Sequence, residues 1–196
     1  MIQTVPAPCY LVRHGQSEWN LLELTQGQTM APRLTELGRT QARAAAAAIR
    51  ADLGPHVAVD VVRTSDLVRA HETAELLVGL LGGELHVDVR LREQHLGELE
   101  GRSYAETWAA AAAHDWTDPH LPVAGGESPV QLRARVAEVV DTVDPSAVTV
   151  LVSHGDAMRA AVAHLAGHSP AAAPWVEVPN GAVAKVSGGR LSWLAA

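Results

Sequence analysis

The sequence contains no phenylalanine, one cysteine and a single lysine, Lys185, among its 15 basic residues. With Cys9 alone, no internal disulfide can form, which fits a reducing compartment. No apolar run reaches the length of a membrane-spanning helix. Residues Met1-Ile2-Gln3-Thr4-Val5-Pro6 show neither the basic start nor the apolar stretch of a secretory signal, so a cytoplasmic location is expected. Acidic residues outnumber basic ones, giving a formal net charge of −7. That balance argues against a nucleic-acid or membrane partner while leaving room for a local cationic pocket.

What is present describes a folded protein. Hydrophobic residues make up 47% and charged residues 19% of 196 positions, enough for one core and a single domain over residues 1–196. Cys9 to Val12 reads as a short buried strand and Gln16 to Leu24 as a helix candidate. After a loop from Thr25 to Leu34, Thr35 opens an alanine-rich helix that Gly54-Pro55 stops. Val57 to Val62 is a second strand, and Thr64-Ser65-Asp66 offers cap chemistry for a helix to about Leu81. Leu85 to Val89 is a third strand. Alternation of this kind predicts an α/β fold: a three-layer sandwich with a mostly parallel sheet and helices on both faces.

From Leu91 to Ser128 the alternation breaks, which predicts a helical and looped excursion over the site, with a helix near Tyr104 to His114. Glu127 or Ser128 then starts a helix facing Leu132, Val136, Val139 and Val140 inward. Val148 to Val152 is the fourth strand and Asp156 to Ala166 the next helix. Val183 to Val186 and Leu191 to Leu194 form a closing hairpin.

One pattern occurs twice. Leu11-Val12-Arg13-His14-Gly15 and Leu151-Val152-Ser153-His154-Gly155 each end an apolar run where a helix can begin. Ligands of open α/β sheets bind beyond the carboxyl ends of the strands. Neighbouring strands would therefore put both imidazoles, and the N–H groups of the following helix starts, around one space suited to an anion. Arg13 adds a planar cation, and Arg69, early on its helix, can reach the same crevice. A neutral imidazole can attack phosphorus while cations disperse charge on its oxygens. Glu93 is the best placed carboxyl to protonate a leaving oxygen, provided its pKa is raised.

These residues carry a resemblance. Arg13-His14-Gly15-Gln16-Ser17-x-Trp19-Asn20, Ser65-Asp66-Leu67-x-Arg69-Ala70-x-x-Thr73-Ala74, Leu91-Arg92-Glu93-x-His95-Leu96-Gly97 and Ser153-His154-Gly155 follow one another in this order. Together, from about Tyr10 to Leu165, they resemble the histidine phosphatase superfamily, also called phosphoglycerate-mutase-like. The resemblance implies His14 as a nucleophile that becomes phosphohistidine. It implies Arg13, Arg69 and His154 as the grip on the phosphoryl group, and Glu93 as general acid and then base. Ser17, Asn20, Gln26, Gly27 and Gly155 would bind phosphate or line the pocket, without a metal or other cofactor. The expected partner is a small phosphate monoester, and a homodimer is compatible with the size.

Departures from the mutase pattern favour hydrolysis. Relatives often have an acidic residue and Pro-Leu-Thr after the Gln-Gly; here Gln28 to Thr35 differs, with Arg33 either a substrate contact or a solvated charge. Mutases typically show Glu-Arg-His-Tyr-Gly where this chain has Glu93-Gln94-His95-Leu96-Gly97. They also hold substrate with a lysine and an arginine pair in the excursion, where this chain has neither. The short stretch after the last strand is expected to lack the tail that closes mutase sites. The alternatives are a 2,3-bisphosphoglycerate-dependent mutase and a weakly catalytic phosphate-binding module. Other readings are bland: Arg69 can pair with Glu72 or Asp66, His164 and His168 are surface histidines at metal-compatible spacing, and Trp108, Trp116 and Trp175 pack. Trp108 and Trp116, within the excursion, can alternatively recognise an organic group.

Overall fold

The computed structural model describes residues 6–194; the expectation drawn from residues 1–5 lies outside them. Six strands form one sheet in the order β3-β2-β4-β1-β5-β6. They are β1 (Cys9–Arg13), β2 (Val61–Thr64), β3 (Glu84–Val87), β4 (Thr149–Ser153), β5 (Val183–Ser187) and β6 (Arg190–Leu194). The first four run parallel, and β5 and β6 close the sheet as an antiparallel hairpin. The helices are α1 (Glu18–Leu21), α2 (Glu36–Leu53), α3 (Val68–Leu81), α4 (Tyr104–Ala113), α5 (Pro129–Asp141) and α6 (Gly155–Leu165). No helix among the described residues is long and apolar enough to cross a membrane.

Strand side chains alternate between faces, and the core follows that period. Tyr10, Val12, Val150 and Val152 pack one face against α2 and α3 through Ala45, Ile49, Ala74 and Leu77. Leu11 and Leu151 pack the other face against α5 and α6 through Leu132, Val136, Met158 and Ala161. All five residues of β4 are buried, as expected of a central strand covered twice. This is the predicted three-layer sandwich. Capping agrees locally: Thr35 accepts from Gly38 N–H at the start of α2, Gly54 ends it at φ +82°, and Ser128 caps α5 with Pro129 in its first turn.

Element boundaries differ from the sequence reading for identifiable reasons. The Gln16–Leu24 helix contracts to α1, because Ser17 and Asn20 close a capping box and Glu23 turns out at φ +53°. β2 begins at Val61 and not Val57, since its partner β4 starts at Thr149, directly opposite Val61. β3 stops at Val87; Asp88 then caps a 3-10 turn, accepting from Arg90 N–H at 3.0 Å. Asp66 is no helix cap: Leu67 holds that position, and the Asp66 carboxylate pairs with Arg92.

Candidate active site

β1 and β4 are hydrogen-bonded neighbours with Arg13 opposite Ser153. The backbone therefore delivers His14 and His154 side by side, and their ring centroids lie 5.0 Å apart. Both histidines are buried. Two glycines admit this packing: a Cβ on Gly15 would fall 2.1 Å from Gly38 O, and one on Gly38 would fall 2.0 Å from Gln16 O. Thus α2 leans directly on the turn that carries His14.

His14 Nδ1 lies 2.7 Å from Gly15 O. A carbonyl only accepts, so Nδ1 carries the proton and Nε2 keeps the lone pair. Burial first, then the charges of Arg69 and Arg13, hold the His14 pKa well below its ordinary value. The ring is neutral at neutral pH and can act as a nucleophile. His154 is also held low, by burial and then by Arg69, His14 and Arg13. Neither of its ring nitrogens has a partner among the described residues. An anion arriving beside it would offset that repulsion and favour the protonated ring.

The guanidiniums are anchored from behind. Arg69 is fully buried and donates from Nη2 to Gly27 O at 2.8 Å and from Nη1 to Thr29 O at 2.9 Å. It pairs with neither Glu72 nor Asp66. Burial lowers its pKa to about 10, which still leaves it charged. Arg13 Nη1 donates to Val178 O at 2.6 Å. The Nε atoms of Arg13 and Arg69 are buried without a partner among the described residues. Together with the bare His154 ring, they are what an incoming anion would satisfy.

Glu93 joins the cluster from the other side. Its carboxyl accepts from Asp156 and Ala157 N–H at 3.1 Å each, at the start of α6, and from Gln94 N–H at 3.0 Å. The helix start expected to face ligand is thus occupied by this carboxyl. Burial, reinforced by Asp156, raises the Glu93 pKa, against the lowering pull of Gln94 N–H, Arg13 and Arg69. A Cβ on Gly155 would meet Arg159 Nη1 at 3.3 Å, Glu93 Oε2 at 3.6 Å and Arg13 Cζ at 3.7 Å. The glycine keeps open the point where these three groups converge.

Ser17 is fully buried behind the pocket, capping α1 and donating to Gln26 Oε1 at 2.7 Å. Asn20 Nδ2 donates to Tyr104 Oη at 2.9 Å, and its Oδ1 accepts from Asn180 at 3.2 Å. Gly27 has φ +45° and no room for a Cβ against Glu100, so its carbonyl can turn to Arg69. The excursion is pinned here as well as through Glu93, by Tyr104 and by Thr25 hydrogen bonds to residues 101 and 102. Arg33 pairs with Glu72 at 3.0 Å on an exposed surface. His164 pairs with Asp141 at 2.7 Å, and no three potential ligands cluster as a metal site among the described residues.

Several site residues were missed. Asn180, in the loop before β5, donates to His14 O at 3.2 Å; the Pro179-Asn180-Gly181 turn was its only signal. Arg159 lies four residues after Gly155, hence on the same helix face, a spacing that was legible. Trp175 is not packed inside but 67% exposed, its ring centroid 3.7 Å from Arg159 Cζ. Trp108 and Trp116 are exposed too, so none of the three packs in the core, although Trp116 packs edge-on against His114 with ring centroids 4.5 Å apart.

With this geometry in hand, known proteins place the chain. Residues 9–194 match the model of the histidine phosphatase superfamily (branch 1). A 2,3-bisphosphoglycerate-dependent phosphoglycerate mutase from Methylocella silvestris is 37% identical over 183 residues, 87% of each chain. A glucosyl-3-phosphoglycerate phosphatase from Mycobacterium tuberculosis is 39% identical over 173 residues, covering 79% of this chain and 73% of that one. A solved mycobacterial glucosyl-3-phosphoglycerate phosphatase in complex with VO3 superposes with a TM-score of 0.76 at 36% identity, covering 95% and 96% of the two chains. Sequence order, sheet topology and these similarities agree: the chain belongs to the histidine phosphatase superfamily.

Proposed function

We propose that this protein is a phosphomonoesterase that hydrolyses a small phosphorylated metabolite through a phosphohistidine on His14. One observation carries the reading: a neutral His14, with its Nδ1 proton committed to Gly15 O, stands among buried cationic and imidazole groups that retain unpartnered atoms. In the first step Nε2 gives its lone pair to phosphorus, and the bond from phosphorus to the alcohol oxygen breaks. Glu93 supplies the proton that oxygen takes up. Arg13, Arg69 and His154 hold the charge on the non-bridging oxygens. In the second step the Glu93 carboxylate accepts a proton from water as the water oxygen attacks phosphorus. The phosphorus–nitrogen bond breaks, His14 regains its lone pair, and inorganic phosphate leaves.

Glu93 must be protonated for the first step. Burial and Asp156 favour that form, and an approaching phosphate dianion favours it further. Rapid quenching with labelled p-nitrophenyl phosphate tests the scheme. An acid-labile phosphoryl group should appear on wild-type enzyme and be absent from His14→Ala, whose turnover should also be lost. Turnover in His14→Ala would refute the nucleophile.

The similarity to a mutase favours a second reading, in which the phosphoryl group returns to another hydroxyl. Lys185 argues against it: the chain's one lysine is on β5, paired with Asp52 at 2.7 Å and so unavailable to hold a substrate carboxylate. The relative that acts on glucosyl-3-phosphoglycerate makes glycerate- and sugar-linked phosphates the first substrates to screen. Free phosphate from 3-phosphoglycerate supports hydrolysis, whereas 2-phosphoglycerate would support the mutase.

A further inference from the structure

Glu93 lies in a stretch with neither strand nor α-helix, yet its backbone is tied down by side chains from elsewhere in the chain. Four consecutive carbonyls each accept a hydrogen bond from a side chain distant in sequence. Arg135 Nη1 donates to Arg90 O at 2.8 Å and to Arg92 O at 2.6 Å. Ser153 Oγ donates to Leu91 O at 2.7 Å. Glu93 O accepts from Arg135 Nη2 at 2.8 Å and from Gln28 Nε2 at 3.1 Å.

The remaining Arg135 donors go to Glu127, from Nε and Nη2 at 2.7 Å each. All five N–H groups of the guanidinium are therefore in use. Glu127 is itself stitched to the same stretch: its N–H donates to His95 O at 2.7 Å, and its carbonyl accepts from Gln94 Nε2 at 2.8 Å. The Arg135 and Glu127 side chains are mostly buried, at 18% and 14% exposure. Surface ion pairs contribute little, but a fork with five partners cannot be matched by a lysine.

We propose that Arg135 is a positioning residue for catalysis, which sets the Glu93 carboxyl against the leaving oxygen through the Glu93 peptide. The clamp ends on the carbonyl of Glu93 itself, and the carboxyl of that residue then sits on the first N–H groups of α6. Ordering a loop would not require contact with that one peptide. The proposal rests on Glu93 acting as the acid, and the test separates the two.

The kcat/KM values for p-nitrophenyl phosphate and glycerol 2-phosphate, which report the first step and leave out the base step both substrates share, are measured for Glu93→Gln, Arg135→Met, Arg135→Lys and the Glu93→Gln/Arg135→Met pair. An acid matters for the alkyl leaving group and little for nitrophenolate. Arg135→Met should lower kcat/KM on glycerol 2-phosphate about 10²-fold and on p-nitrophenyl phosphate by no more than about threefold. Arg135→Lys should recover only part of the loss. In the Glu93→Gln background the Arg135 change should add nothing on the alkyl substrate. Equal losses on both substrates, or losses that multiply in the double variant, overturn the positioning role. If Glu93→Gln alone slows both substrates equally, the acid assignment falls, and this proposal with it. Should Arg135→Met fail to fold, Arg135→Lys and Glu127→Gln decide by the same ratio between substrates.

Discussion

The two Leu-Val-x-His-Gly edges have the same backbone setting and divergent surroundings. At the first, Arg13 precedes the histidine, Gly15 N–H goes to Thr73 Oγ1, and the next helix starts only after Ser17, which caps it. At the second, Ser153 precedes the histidine and spends its hydroxyl on Leu91 O. There α6 begins immediately at Gly155, with no side-chain cap from His154. Its uncapped N–H groups are thus open to the Glu93 carboxyl. One residue before the histidine and a short delay in starting the helix separate the roles. On the proposed mechanism, the first edge presents the nucleophile among cations and the second holds the acid and faces the anion.

The largest way to break the comparison is to remove each imidazole. His14→Ala should cost about four orders of magnitude or more in kcat on p-nitrophenyl phosphate, because the covalent route is gone. His154→Ala should cost about 10²–10³-fold, the scale of one lost transition-state donor. Steady-state rates for the two purified variants check this. Equal losses would mean that the edges share one role.

The glycines give a second, smaller contrast, read in stability. Alanine at position 15 drives its methyl into the Gly38 backbone at 2.1 Å, and backbone cannot swing aside. The expected cost is about 3 kcal/mol, or roughly 6–12 °C in Tm for a chain of this size. Alanine at position 155 meets nothing nearer than Arg159 Nη1, the end of a flexible side chain, at 3.3 Å. Its Tm should stay within about 2 °C of wild type, while KM rises because the methyl enters the point where Arg13, Glu93 and Arg159 converge. Thermal melts with a substrate titration distinguish the two effects.

What the sequence made legible was local or periodic. Continuous apolar runs at 10–12 and 150–152 marked buried strands, and the order of helices and strands implied a parallel sheet. His14, His154 and Arg69 were legible because strand ends and a first helical turn are fixed relative to the chain. Helix and strand limits were less so, because they depend on partners: β2 starts where β4 gives it a neighbour, and Asp66 leaves its cap for Arg92. Arg135 left no local trace, since its acceptors at 90, 92 and 93 are brought near only by α5 packing on the sheet. The exposed Trp175 and the turn at Asn180 belong to the connection before β5, where neither periodicity nor spacing supplied a pattern.

The smallest expected effect, a pH dependence of stability, tests whether the two edges share one electrostatic property. Both buried histidines have depressed pKa values in the fold. Below the unfolded value of about 6.5, the unfolded chain binds protons that the native rings refuse. Their contribution is therefore full above that pH and is lost as the pH falls through it. Glu93 acts oppositely, because its raised native pKa favours the fold as acid is added; measurements in Glu93→Gln remove that offset. Asp66 and Asp88, with lowered pKa values, lose their contributions only below about pH 4. Between about pH 7.5 and pH 5 the slope of Tm should then be positive and owed largely to the two rings. Both native rings stay neutral across this range, so in that background His14→Gln and His154→Gln should each flatten the slope, by similar amounts. A slope that one of the two substitutions leaves unchanged would show that its ring is not held neutral by the fold.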